Sequence, residues 1–129
     1  MISYMKKILI SGAGGIGGVN FINALKIFKD KFFIVGLDFN KYYLEFPNVD
    51  VRINSPRHLD PNFIKLIHEL INKYKIDFLH PHPSSEALVI SQNIDSIQTK
   101  TLLPKSNIIS TDKLKTQQFL SQSGINVAQ

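Results

Sequence analysis

Lys6-Lys7-Ile8-Leu9-Ile10-Ser11-Gly12-Ala13-Gly14-Gly15-Ile16-Gly17-Gly18-Val19-Asn20 is the stretch that decides the fold. The apolar run Ile8-Leu9-Ile10 stops abruptly in glycines, as a strand buried on both faces of a parallel sheet does. Beyond the glycines, Val19, Ile22 and Leu25, joined by Phe21 and Phe28, recur at helical spacing and predict a helix over about residues 15–29. Lys26, Lys29 and Asp30 fall outside its apolar stripe.

The rest of the chain repeats this alternation. Phe32-Phe33-Ile34-Val35-Gly36-Leu37 reads as a second buried strand ending at Asp38, where Asp38-Phe39-Asn40 opens a loop, and Val51-Arg52-Ile53 reads as a short third strand. Asp60-Pro61 is a helix start, with Asp to cap free amides and Pro suited to the first helical position. Phe63, Ile67, Leu70 and Tyr74, flanked by Ile64 and Ile71, then make the clearest amphipathic helix. Ile76-Asp77-Phe78-Leu79 is the fourth strand, and His80 to Ser85 a proline-bearing loop. Ala87, Leu88, Ile90, Ile94 and Ile97 predict a further helix, and Thr99 to Leu103 a fifth strand stopped by Pro104. Ser110 to Ser123 reads as a last helix with Leu114, Phe119 and Leu120 inward and Gly124 as its stop. The pattern specifies a single α/β domain over residues 1–129. It is Rossmann-like and three-layered, with a mostly parallel five-stranded sheet in the order 3-2-1-4-5. Ligands of such a fold bind at the carboxyl ends of the strands, near the switch between strands 1 and 4.

Composition narrows the class. With 43% hydrophobic and 19% charged residues the 129-residue chain is ordinary for a globular protein. No cysteine is present, which excludes disulfides and thiolate metal sites and fits a cytoplasmic protein. The N-terminal apolar run is too short for a signal peptide or a membrane span. Net charge is +5, but the lysines are scattered and no nucleic-acid-binding signature accompanies them, so neither nucleic acid nor membrane is expected as a partner.

Five of the seven glycines lie between Gly12 and Gly18. Gly12, Gly14 and Gly17 fit G-x-G-x-x-G between a strand and a helix, and Gly15 and Gly18 fill out the loop. Glycines permit positive φ and close backbone approach, and the helix start beyond them can hold an anion. Asp38 stands about twenty residues on, where dinucleotide folds place a ribose-binding carboxylate. Two other readings stay open: glycines that serve tight strand–helix packing alone, and an Asp38 that only caps the next turn.

The second cluster, His80-Pro81-His82-Pro83-Ser84-Ser85-Glu86, faces the same crevice. His80, His82 and Glu86 are metal-ligand types. The competing reading has the prolines stiffening the loop, Ser84 or Ser85 capping the next helix, and Glu86 in its first turn against the dipole. No nucleophile elbow is present, and no tyrosine is followed by a lysine four residues later, which argues against a short-chain dehydrogenase or epimerase site.

Read in order, Ile8 to Asn20, Val35 to Asn40, His80 to Pro83, Ser85-Glu86, Leu103-Pro104, Thr111-Asp112-Lys113 and Gly124-Ile125-Asn126-Val127 resemble the N-terminal (pre-ATP-grasp) domain of ATP-grasp enzymes, and most of all proteins like the carbamoyl phosphate synthetase large subunit. The resemblance implies an ATP-dependent ligase that activates a carboxylate as an acyl phosphate for attack by a nucleophile, often an amine. It puts the Gly12–Gly18 loop and the Pro83–Glu86 turn, with Ser85 and Glu86, on the wall that helps bind the non-nucleotide substrate or its phosphate, where Asp38 is also expected, and matches Lys113 to a basic position that contacts ATP. It implies no catalytic residue and no metal ligand in this chain. The nucleotide-clamping domain would begin where the chain stops at Gln129. ATP and Mg are therefore expected only together with that domain, in the same or another chain, and the chain alone is expected to be inactive. A small carboxylate or amine is the expected substrate, and a homodimer a further expected assembly. An NAD(P)- or nucleotide-binding module is the alternative.

Overall fold

A computed structural model describes residues 4–28, 30–104 and 112–127. Five strands form one sheet in the order β3-β2-β1-β4-β5: β1 (Lys6–Ser11), β2 (Phe32–Asp38), β3 (Val51–Asn54), β4 (Phe78–Pro81) and β5 (Lys100–Thr101). All four pairings are parallel. The fold is the Rossmann-like α/β sheet that the alternating pattern predicts, with β1 at its centre between β2 and β4 and with Leu9 and Ile10 fully buried on its opposite faces.

Alternation along β1 divides the core in two. Leu9 points to the layer made by α2 (Asn62–Tyr74) and α3 (Ser84–Gln92), where it meets Phe63, Ile67, Leu79 and Ile90. Ile8 and Ile10 point the other way, to α1 (Ile16–Lys26), and pack with Ile22 and Ile34. Chain direction across the sheet reverses after β3, so right-handed crossovers put α1 on one face and α2 and α3 on the other. Asp60 Oδ1 accepts the Asn62 amide at 2.8 Å, and Pro61 already has helical angles, so the Asp-Pro start of α2 works as its chemistry predicts. At the opposite end of the sheet, Asp77 accepts the Lys7 amide at 2.9 Å. That bond, helped by Lys6, holds its carboxyl below the usual aspartate value.

Several expected boundaries shift. α1 ends at Lys26, because Phe28 and Lys31 turn back onto Leu25 and Phe28; Phe28 is exposed, and Lys29 lies outside the described residues. β4 begins at Phe78 and continues through His80 and Pro81, because both pair with Ile10 and Ser11 of β1. α3 begins at Ser84 with Pro83 as its cap, so neither serine caps it. It stops at Gln92, where Asn93 turns back onto Val89 and Ile90, and only a 3-10 turn, Ile94–Ser96, follows. The fifth strand is two residues long. The last helix, α4 (Lys113–Gln122), is capped by Asp112 on the Leu114 and Lys115 amides and stopped by Gly124 at φ +77°. Its start at Ser110 falls outside the described residues. Leu114 and Phe119 are exposed rather than inward, and Leu120 is half-buried, since three apolar residues among lysines and glutamines make a weak stripe. Among the described residues no helix is long and apolar enough to cross a membrane.

Candidate functional site

Three strand ends define the crevice. Ser11 stands level with Leu37 of β2 and Pro81 of β4, so the chain leaves the sheet at one height on both sides of the switch between β1 and β4. Out of β1, Gly12 turns at φ +64°, Gly15 N donates to Gly12 O at 3.2 Å, and Ala13 N donates to Leu37 O at 3.0 Å. α1 then starts at Ile16 with Gly15 as its cap, no side-chain cap and no acid in its first turn. This leaves a helix start able to receive an anion.

The two clusters singled out in the sequence interlock. A Cβ on Gly12 would collide with the Pro83 ring, one on Gly17 with the His82 ring, and one on Gly14 with the Tyr43 backbone. His82 N donates to Ser11 O at 3.1 Å, fastening the second loop to the first. These glycines therefore have a packing role within the chain itself. Gly15 is different: its nearest neighbour would be Gly12 O at 3.6 Å, ordinary contact.

Asp38 is 4% exposed. Its Oδ2 accepts the Gly14 amide at 3.1 Å and its Oδ1 the Asn40 amide at 2.9 Å. The β2-end carboxylate thus caps its own turn and also ties down the glycine loop. Asp38→Ala is expected to lower stability by about 1–3 kcal/mol, because a buried amide loses a charged acceptor. Urea denaturation without ligand checks this, with Asp38→Asn, which keeps an acceptor oxygen, less affected.

Ser11 and Glu86 are buried beneath the crevice. Ser11 is fully buried, Glu86 is 4% exposed in the first turn of α3, and neither Ser11 Oγ nor Glu86 Oε2 is in a formed hydrogen bond. Burial pushes the Glu86 carboxyl above the usual glutamate value; the nearby Ser11 hydroxyl opposes this, and the Asp38 charge adds to it. Ser85 is half-buried beside it. His80 stacks on Phe21 with centroids 4.2 Å apart, and burial, followed by the neighbouring His82, lowers its pKa. Among the described residues no three metal-donor side chains gather. Lys113 is exposed at the start of α4, and no hydrogen bond or ion pair among the described residues ties it to the crevice; Thr111 lies outside them.

Sequence reading missed two elements of the site. Ser11 read only as the last residue of a strand. The segment after Asp38 read as a loop, yet Tyr43 and Phe46 build one side of a groove of about 530 Å³ whose other side is Gly14, Gly15, Ile16, Val19 and Asn20. Val19 therefore lines this groove rather than the core. The aromatic density of residues 42–46 was the available signal. A larger groove, about 780 Å³, runs between α2 and α3, past Lys65 and His68 to Val89 and Asn93, and does not touch the glycine loop.

No family model and no curated protein sequence matches the chain. Among solved structures, it is similar to N5-carboxyaminoimidazole ribonucleotide synthetase from Thermotoga maritima, with a TM-score of 0.65 and 21% identity over 97% of this chain and 32% of that one. It is also similar to UDP-D-quinovosamine 4-dehydrogenase from Vibrio fischeri, with a TM-score of 0.54 and 20% identity over 98% of this chain and 91% of that one. This chain thus spans about a third of the synthetase's length. At these identities the likeness is one of fold: a Rossmann-like α/β domain with its glycine loop at the switch point of the sheet.

Proposed function

We propose that this chain is the substrate-side domain of an ATP-grasp ligase, of the kind that resembles the carbamoyl phosphate synthetase large subunit. Gly12, Gly14, Gly15, Gly17, Gly18, Asp38, Ser85 and Glu86 form its wall of the site, and Lys113 contributes a contact to ATP. ATP and Mg come with a nucleotide-clamping domain, in the same or another chain, and supply the phosphoryl group that activates a carboxylate for an amine to attack. Positioning and charge neutralisation dominate such chemistry, so a wall that orients the acceptor is a substantial share of the site. The fold likeness to the synthetase, an ATP-grasp enzyme, supports this reading.

The carrying observation is the Asp38 carboxylate. In a dinucleotide site it would stand open to a ribose diol; here Asp38 is 4% exposed and each oxygen already accepts an amide of the chain itself, which weighs against that reading. The dehydrogenase likeness, across most of that protein's length, keeps an NAD(P)- or nucleotide-binding module as the second reading. The 129-residue chain incubated with ATP, magnesium and candidate carboxylates is expected to show no steady ATP turnover, and calorimetry with NAD(H) and NADP(H) no binding. Turnover by this chain alone would sink the ligase-wall reading. Micromolar dinucleotide binding abolished by Asp38→Ala would replace it with the second.

A further inference from the structure

Parallel strands are ordinarily joined through a helix. Residues 39–50, between β2 and β3, hold only a 3-10 turn, Tyr43–Glu45, and the flank of α1 that carries Ile16 and Val19 faces this segment across the groove of about 530 Å³. Tyr43 and Phe46 stand three residues apart across the turn, so they share one face, with ring centroids 6.3 Å apart. Leu44, between them, is 4% exposed and anchors the turn in the core. From β3, Arg52 Nε donates to Leu44 O at 2.8 Å and its Nη2 to Pro47 O at 3.0 Å, while Asn40 Oδ1 accepts the Tyr42 amide at 3.0 Å. The chain fixes this segment firmly and yet holds the two rings out, Tyr43 at 49% and Phe46 at 69% exposure.

Core packing therefore asks for neither ring. On the other side of the groove, Gly14 is glycine because the Tyr43 backbone closes on it. Gly15 has no such reason: its φ is −70°, and a Cβ would meet nothing closer than 3.6 Å. Two braced rings opposite a bare peptide make a slot for a flat body, and the volume falls in the range of small-molecule sites. Asn20 adds one amide group that can donate and accept at the edge of such a body.

We propose that this groove binds the planar aromatic ring of a small ligand, stacked on Tyr43 and Phe46 and lying against the Gly14–Gly15 peptide. The groove shares those glycines with the strand-end crevice, so a ring seated here can extend a substituent into the crevice. Under the ligase-wall reading, on which this last step rests, the acceptor is a carboxylate or amine borne on an aromatic ring. Ring binding itself needs neither ATP nor a dinucleotide. Its failure leaves the ligase-wall reading standing, and ATP turnover by this chain alone would sink that reading without touching the groove.

Benzamide is the probe, cyclohexanecarboxamide its saturated counterpart, and amide NMR of the isotope-labelled 129-residue chain the readout. Benzamide is expected to shift the Gly14, Gly15 and Ile16 amides with millimolar affinity and to leave Lys65 and His68, in the other groove, unmoved. Cyclohexanecarboxamide should bind more weakly, since it forgoes the ring–ring contact. Phe46→Leu should weaken benzamide about threefold to tenfold, and Gly15→Ala should weaken it too. Both variants should keep the wild-type urea midpoint, because Phe46 is exposed and Gly15 is not packed, so the lost binding is not unfolding. No shift up to the solubility of benzamide overturns the proposal, as does equal binding of the saturated amide or binding untouched by both substitutions. Shifts of the same amides on dilution without any probe would make a second copy of the chain the occupant and overturn it as well.

Discussion

Phe63→Ala is expected to lower the free energy of unfolding by about 3–5 kcal/mol. Phe63 is fully buried at the start of α2 and belongs to the core that includes Leu9, Val35, Leu37, Ile67, Leu79 and Ile90. It therefore joins the helix to the three central strands. Truncation loses the transfer free energy of the ring and leaves a cavity that strand side chains on a rigid ladder fill poorly. Total stability of a domain this size is about 5–15 kcal/mol, so the variant should stay folded but with a much lower urea midpoint. Ile64→Ala, one residue on and only half-buried, should lose clearly less. A loss below about 1 kcal/mol for Phe63→Ala would mean that α2 moves to close the gap, and that the α2 face of the sheet is loosely packed.

What was legible in the sequence was local. β1 and β2 run between the expected residues, and the sheet order follows, because a buried parallel strand writes itself as an unbroken apolar run and right-handed crossovers leave few topologies. The start of α2 was legible because Asp-Pro acts on its own neighbours. What failed depends on distant partners. β4 extends to Pro81 only because Ser11, seventy residues earlier, pairs with it. The inward face assigned to Leu114 and Phe119 needed a packing partner that ten mostly polar residues do not secure. The candidate site divides in the same way. Glycine spacing and Asp38 were readable, but Pro83 and His82 as the neighbours of Gly12 and Gly17, and the burial of Ser11 and Glu86, arise from folding.

Gly12→Ala should destabilise the ligand-free chain by about 2–5 kcal/mol, since two penalties coincide. At φ +64° a Cβ costs about 1–2 kcal/mol on the backbone alone. The same Cβ would overlap Cγ and Cδ of the Pro83 ring, and overpacking a fixed ring adds about 1–3 kcal/mol. Pro83 has little room to yield, because His82 before it is bonded to Ser11 and α3 begins directly after it. Gly15→Ala is the matched control: its Cβ meets nothing closer than 3.6 Å and its φ is −70°. Its stability should change by about 0.5 kcal/mol or less, the weaker helix cap offsetting the reduced freedom of the unfolded chain. Urea denaturation of the two variants side by side separates the two uses of the glycine loop. Equal stabilities would mean that Gly12 is not held by packing and that its glycine answers to a ligand. The expected asymmetry assigns Gly12 to the fold and leaves Gly15, which packing does not require, as the position where a ligand's demand for bare backbone would appear as lost binding without lost stability.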